Sequence, residues 1–277
     1  MDHSVRKLTP YRVISIALLI ILALMMLFPL YWIVTGSVKD ARTINSRTPV
    51  LFPTNPTLDN YTKLFSRPAW KWMFNTVFIC GVAMLLTCLC GAMGGYALAK
   101  KKFTGRTFIF SLFVCAMALP KQVIMIPLLK EMAWLGLHNT LWSVIFPTVG
   151  WPFGVFLMKQ FAEGIPNEML EAAKIDGAGE IRTFVDIVFP MIKPGVGALA
   201  IFTFINAWND YFLQLIMLNS QSKLTISLGI AKMQAEASTD FGLIMAGATL
   251  ASVPIITIFL IFQKYFTKGI TLGAVKG

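Results

Sequence analysis

The chain has 277 residues, of which 56% are hydrophobic and only 13% charged, whereas a soluble domain carries about 25% charged residues and is less than half apolar. That balance excludes an ordinary soluble globular domain and points to a bilayer. The net charge of +11 suits an anionic membrane surface rather than nucleic acid, because the basic residues form small groups between apolar stretches and no run with interleaved aromatics.

A spanning helix needs about 20 mainly apolar residues. Six stretches qualify: residues 13–35, 73–98, 107–128, 140–157, 196–218 and 241–262. The first follows Arg6, Lys7 and Arg12, as a signal peptide would, but its apolar run exceeds a signal peptide's 7–15 residues and ends in bulky side chains. It is read as a retained anchor behind a cytoplasmic segment, 1–12. The connection 36–72 contains the turn formers Pro53, Asn55, Pro56, Asp59 and Asn60. Within it, Leu58, Tyr61, Leu64 and Phe65 at helical spacing predict a short surface helix. In the second span Gly91-x-x-x-Gly95 permits close helix approach, although that pattern is frequent in apolar segments. Pro120 and Lys121 interrupt the third span, one predicting a kink and the other a side chain that snorkels to the nearest surface.

The connection 160–195 holds six of the thirteen acidic residues: Glu163, Glu168, Glu171, Asp176, Glu180 and Asp186. It reads as two short helices. The first starts near Pro166, with Glu168 favourable to its dipole, and stops at Gly177. The second runs from about Gly179 to Phe189, with an apolar face of Ile181, Phe184, Val185 and Val188. Arg182 and Asp186 can pair on its other side, and Pro190 ends it. Ala172 and Ala173 leave the first helix thin, which suits either a partner's cleft or a rest on lipid headgroups.

Asn206, Asn209, Asp210 and Gln214 fall inside the fifth span, where polar groups are costly. The i, i+4 spacings of Asn206, Asp210 and Gln214 predict one shared face. They are read either as the lining of a solute pathway or as interhelical glue in an assembly. Trp151, Trp208 and Phe212 are read as packing or interfacial anchors, with stacking on the ring of a solute as the alternative. The connection 219–240 is polar, and 263–277 forms a tail.

With a cytoplasmic N-terminus, the inner segments carry fourteen lysines and arginines against ten outside. The dense short loop Lys100–Arg106 falls inside, so six spans put both termini in the cytoplasm. Cys80, Cys88, Cys90 and Cys115 lie in apolar stretches and read as small buried hydrophobes. His3 and His138 are the only histidines, which excludes a histidine-based metal site or triad. The chain has no P-loop, no G-x-S-x-G and no H-E-x-x-H. It is read as no enzyme.

Glu171-Ala172-Ala173, followed by Gly177, Ile187 and Pro190, resembles in full spacing the EAA loop of bacterial ABC importer permeases, with Phe189 where leucine is usual. Leu58-Asp59-Asn60-Tyr61, the stretch Tyr96-Ala97-Leu98-Ala99-Lys100 through Phe103 and Gly105-Arg106, Ala207-Trp208-Asn209-Asp210, and the ending Gly273-Ala274-Val275-Lys276-Gly277 resemble the carbohydrate branch, in particular maltose-permease G-type subunits. The resemblance implies an all-α, six-span type I importer core in a bacterial cell membrane. It implies that Glu171, Ala172, Ala173, Gly177, Ile187 and Pro190 form a coupling helix docked on an ATPase subunit. It also implies a second permease subunit, an ATPase dimer that uses ATP and Mg, and an extracellular or periplasmic sugar-binding protein. The tail then reaches into the ATPase dimer, and 219–240 contacts the binding protein. This chain binds no cofactor itself. The pathway candidates remain Asn206, Asn209, Asp210 and Gln214. Alternatives are an ABC permease for a solute such as glycerol phosphate or an amino acid, or a secondary transporter. A phosphate-bearing solute would want lysine or arginine at pathway depth, where the spans show almost none beyond Lys121. A secondary transporter would want several intramembrane acids, where only Asp210 stands.

Overall fold

The computed structural model describes residues 10–236 and 240–274, with side chains up to Gln263. The expected basic N-terminus with Arg6 and Lys7, and Val275, Lys276 and Gly277 of the tail, lie outside the described residues. The helices in chain order are α1 (Pro10–Ser37), α2 (Ala41–Ile44), α3 (Asp59–Phe65), α4 (Ala69–Lys100), α5 (Arg106–Met117), α6 (Lys121–Trp134), α7 (Trp142–Val149), α8 (Phe153–Glu163), α9 (Asn167–Ile175), α10 (Glu180–Thr183), α11 (Phe189–Asn209), α12 (Tyr211–Met217), α13 (Ile226–Glu236) and α14 (Phe241–Ala274).

Among the described residues four helical stretches are long and apolar enough to cross a bilayer: Pro10–Ser37, Ala69–Lys100, Glu180–Asn209 and Phe241–Gln263. The pair α5 and α6, bent by 109°, makes a fifth if counted as one broken span. The bend falls at Pro120, as the sequence predicts. The stretch 140–157 differs from expectation. It is divided between α7 and α8, neither long enough to cross alone, around Gly150, Trp151 and Pro152. The prolines supply the reason: Pro147 inside α7 and Pro152 before α8 have no N–H to continue the ladder.

The chain forms two compact units. One contains the described residues up to Arg67 together with Ile230–Leu250; the other contains Pro68–Gly229 and the described residues from Ala251 on. In the first, α1 exposes its apolar side chains on most sides, with Leu18, Leu24, Met25 and Met26 more than half exposed, as suits a helix surrounded by lipid or a partner. The predicted surface helix is α3, but its buried face is only partly the apolar one. Leu58 and Phe65 are exposed while Asn60 and Leu64 are buried. Asn60 wins its place through hydrogen bonds, its Nδ2 donating to the carbonyls of Ser37 and Lys39 at 2.9 Å each. Lys39 is also buried. Its ammonium donates to the Val50 carbonyl at 2.6 Å and sits 4.2 Å from the Trp32 ring centroid, and burial pushes it below its ordinary pKa.

The second unit is organised on α4. Its close approach to α8 is made by Gly91 and Gly95: a Cβ on Gly91 would lie 3.1 Å from the Gly154 backbone, and one on Gly95 2.6 Å from the backbone of Met158 and Lys159. The spacing noted in the sequence is therefore used. Ala92, Tyr96, Met158, Ala162, Val188, Ile192 and Leu199 form one buried cluster joining α4, α8 and α11. The N-terminal half of α4 binds the segment after α12. Trp72 Nε1 donates to the Gln221 carbonyl at 2.8 Å, Asn75 Nδ2 to Ser222 and Leu224, and the Ile226 N–H to Thr76 Oγ1. The connection expected as a polar external loop thus begins packed, with Leu224 and Ile226 buried.

Candidate functional site

The acidic connection is built as the sequence suggests up to Gly177. α9 carries Glu168 in its first turn and Lys174 in its last, both favourable to the helix dipole. It ends in a Schellman turn: the Ala178 N–H donates to the Ala173 carbonyl at 2.9 Å and the Gly177 N–H to Lys174 at 3.1 Å. Gly177 takes φ 77°, a conformation that side chains with a Cβ resist. Ala173 is buried and Leu170 packs against the main cluster. Glu171, Ala172 and Ile175 point outward, Ile175 at 86% exposure. One face of α9 is thus seated on the membrane helices while the other is presented.

Lysines fix that seat. Lys100, the last residue of α4, donates to the carbonyls of Glu163 and Ile165 and to Asn167 Oδ1, so it ties the end of α8 to the start of α9. Lys101 pairs with Glu180 and lies 5.1 Å from the Tyr96 ring centroid. Burial works against its charge, but Glu180 and Tyr96 outweigh that and hold its ammonium above the ordinary pKa.

Beyond Gly179 the structure departs from the predicted short helix. α10, a π-helical turn at Phe184–Val188 and α11 are continuous, so Pro190 does not end a helix and the spanning segment begins at Glu180. The wide turn takes up the proline. Phe189 N–H reaches the Phe184 carbonyl, and Pro190 sits in the first turn of α11 where its missing N–H is cheap. The predicted apolar face also divides. Val188 is buried and Phe184 partly so, while Ile181 and Val185 are exposed at 82% and 54%. Arg182 and Asp186 pair at 3.4 Å on the exposed side. Ile187 is half-buried and Pro190 exposed.

The polar residues of the fifth span do not share a face. The helix breaks at Asp210 (φ −78°, ψ 66°), whose carboxylate accepts from the Leu213 N–H and starts α12. The break rotates Gln214 into the interior. It is fully buried, its Nε2 donating to the Ala207 carbonyl at 2.8 Å and its Oε1 accepting from Thr225 Oγ1 at 2.6 Å. Both ends of this amide brace the break. Asn206 and Asn209 are exposed, Asn206 Nδ2 donating to the Phe202 carbonyl at 2.7 Å.

Asp210 meets Lys121. Their charged atoms lie 3.4 Å apart, and the ammonium is 4.8 Å from the Trp151 ring centroid. The lysine expected to snorkel stands between an acid and an aromatic face. Trp151 and Lys121 line two adjoining clefts, one extending to Asn206 and the other to Asp210. Trp208 is buried packing, stacked with Phe204, and Phe212 is exposed.

Asn139 escaped the sequence reading. It is the one non-glycine residue with positive φ among the described residues. Its Oδ1 accepts from the N–H groups of Asn219 and Ser220, and its Nδ2 donates to Ser220 Oγ. The adjacent Gly136 and Leu137-His138-Asn139 turn was the available signal.

Residues 88–272 match the model of the family described as binding-protein-dependent transport system inner membrane component. The chain belongs to that family. It is a membrane permease component of an ABC importer, whose ATPase is a separate subunit. It is similar to the arabinooligosaccharides transport system permease protein AraQ of Bacillus subtilis, with 35% identity covering 100% of both chains. The AraQ of Halalkalibacterium halodurans is 35% identical, over 92% of this chain and 93% of that protein. The fold resembles a bacterial ABC transporter chain involved in import of the acidic polysaccharide alginate, at TM-score 0.82 and 22% identity, covering 96% of this permease and 100% of that chain.

Proposed function

We propose that this permease imports a sugar or oligosaccharide by ATP-driven alternating access, as one half of a permease heterodimer. The observation that carries the sugar reading is the match, over essentially its full length, to permeases named for oligosaccharide transport. A solute-binding protein delivers the sugar at the outer face. A dimer of ATP-binding subunits, which holds the ATP and Mg, closes against the loop around Glu171. N- and C-termini are cytoplasmic, as the lysine and arginine distribution favours.

In this reading Glu171, Ala172, Ala173 and Gly177 form the coupling helix, with Ile187 and Pro190 in the segment that carries its motion into the spanning helix. The support is mechanical. α9 is seated by Leu170, Ala173 and Lys100 and exposes Glu171, Ala172 and Ile175. A push on its outer face passes through the main cluster to α4, α8 and α11. Asn206, Asn209 and Asp210 are the pathway residues, and Gln214 serves as the brace behind them.

The test is co-purification from the native membrane, followed by ATPase and uptake assays in liposomes. An ATPase dimer, a second permease and a binding protein are expected together, with uptake that requires ATP and a sugar that stimulates hydrolysis. Transport by the isolated chain without ATP, or stimulation only by a non-sugar solute, would overturn the reading.

A further inference from the structure

We infer that this subunit holds a contact site for a neutral glycosyl unit in the cleft formed by Thr87, Lys121, Thr148, Trp151, Thr203 and Asn206. The inference rests on the sugar-import reading and adds a place and a charge class to it. The cleft has about 430 Å³ of empty space, open solvent at its mouth included. Thr87 lies near the middle of the 32-residue α4, one of the helices long and apolar enough to cross a bilayer.

The leading observation is Thr87. It is 6% exposed, and its Oγ1 is buried without a hydrogen-bond partner. Other helical threonines here donate to the carbonyl four residues back: Thr76 to Trp72, Thr148 to Val144 and Thr257 to Val253. Buried hydroxyls are ordinarily satisfied, so an orphan on the wall of a cleft marks the place of a missing partner. The methyl of Thr87 faces Gly154, where a Cβ would come within 2.9 Å of it; the absent side chain at Gly154 helps leave the space open.

The other groups fit a polyol. Thr148 and Thr203 bring further hydroxyls, and Asn206 keeps its Oδ1 and one N–H beyond its bond to Phe202. Trp151 supplies an aromatic face of the kind that packs on the C–H face of a sugar ring. The charge class follows from the pair at the end of the cleft. Lys121 is its one charged lining group, and Asp210 offsets it at 3.4 Å. An anionic ligand would have to compete with that carboxylate for the ammonium, whereas a neutral glycoside would not.

The test uses the complete transporter in nanodiscs and measures equilibrium binding of radiolabelled arabinotriose and maltotriose as neutral probes and a mannuronate trisaccharide as the anionic one. Wild type is expected to bind at least one neutral probe more tightly than the uronate. Thr87→Val and Thr203→Val should each weaken that binding roughly two- to tenfold. Thr87→Val should leave the thermal midpoint of the empty complex unchanged or raise it, because it removes an unsatisfied hydroxyl. A merely structural threonine would give the opposite pair of results. Asp210→Asn, which keeps the cap on α12, should shift the ratio of affinities toward the uronate.

Equal binding by wild type and both threonine variants, no binding of either neutral probe, or preference for the uronate by wild type would each overturn the inference. ATP-dependent sugar uptake in liposomes is scored separately. If uptake persists while the threonine variants bind as wild type does, this site fails and the import function stands. If ATP drives uptake of a non-sugar solute only, the function itself fails.

Discussion

Asp210 illustrates how one residue does two jobs at a helix break. It caps α12 through the Leu213 N–H and offsets Lys121. Asp210→Ala removes both, while Asp210→Asn keeps an acceptor for the cap. Alanine should therefore lower the thermal midpoint of the purified complex further than asparagine, by the equivalent of about 1 kcal/mol. Both should depress uptake without loss of subunits on size exclusion. Dissociation of the complex in either variant would make the residue assembly glue rather than a pathway group. Two glycines of α4 give a sharper contrast. Gly95→Ala puts a Cβ against backbone at 2.6 Å, and Gly81→Ala meets nothing within 4 Å. The first should destabilise by about 1–3 kcal/mol, while the second should be neutral or stabilise by up to about 1 kcal/mol. Equal midpoints in thermal unfolding would sink the claim that Gly95 exists for helix approach.

At the level of elements, α9 and its turn are the part most exposed to test. No atom crowds Gly177, so what constrains it is backbone conformation alone. Gly177→Val should cost about 1–2 kcal/mol locally, misplace the presented face of α9, and leave ATP hydrolysis without uptake while the spans remain inserted. Gly177→Asn, which tolerates the left-handed region, should retain most uptake. Wild-type uptake by the valine variant would remove the turn from the coupling path. The break between α11 and α12 is a second case in which side chains stand in for backbone bonds. Gln214 reaches the Ala207 carbonyl and Thr225, supplying inside a spanning region what a continuous ladder would otherwise give.

Across the whole molecule, charge is handled differently at the surfaces and in the interior. Lys63 pairs with Asp240 at 2.9 Å. Burial raises the Asp240 carboxyl, but Lys63 and the Leu243 N–H outweigh it and hold it below its ordinary value. A depressed carboxyl contributes stability above the unfolded pKa of about 4 and loses it as pH falls through the folded value. Amide exchange in α3 should therefore quicken, relative to its intrinsic rate, between pH 5 and pH 3 (about the carboxylate range). Lys63→Met should abolish that dependence; an unchanged pH profile in the variant would assign the effect elsewhere. The sequence by itself settled the bilayer environment, the helical class, the bend at Pro120 and the end of α9 at Gly177. Apolar run length, a missing N–H and a left-handed φ are local properties that need no partner. Tertiary structure alone decided that Gln214 turns inward while Asp210 meets Lys121, and that Thr87 is left without a partner. Each of these depends on which distant group lies opposite a side chain or carbonyl, and periodicity along one helix carries no record of that.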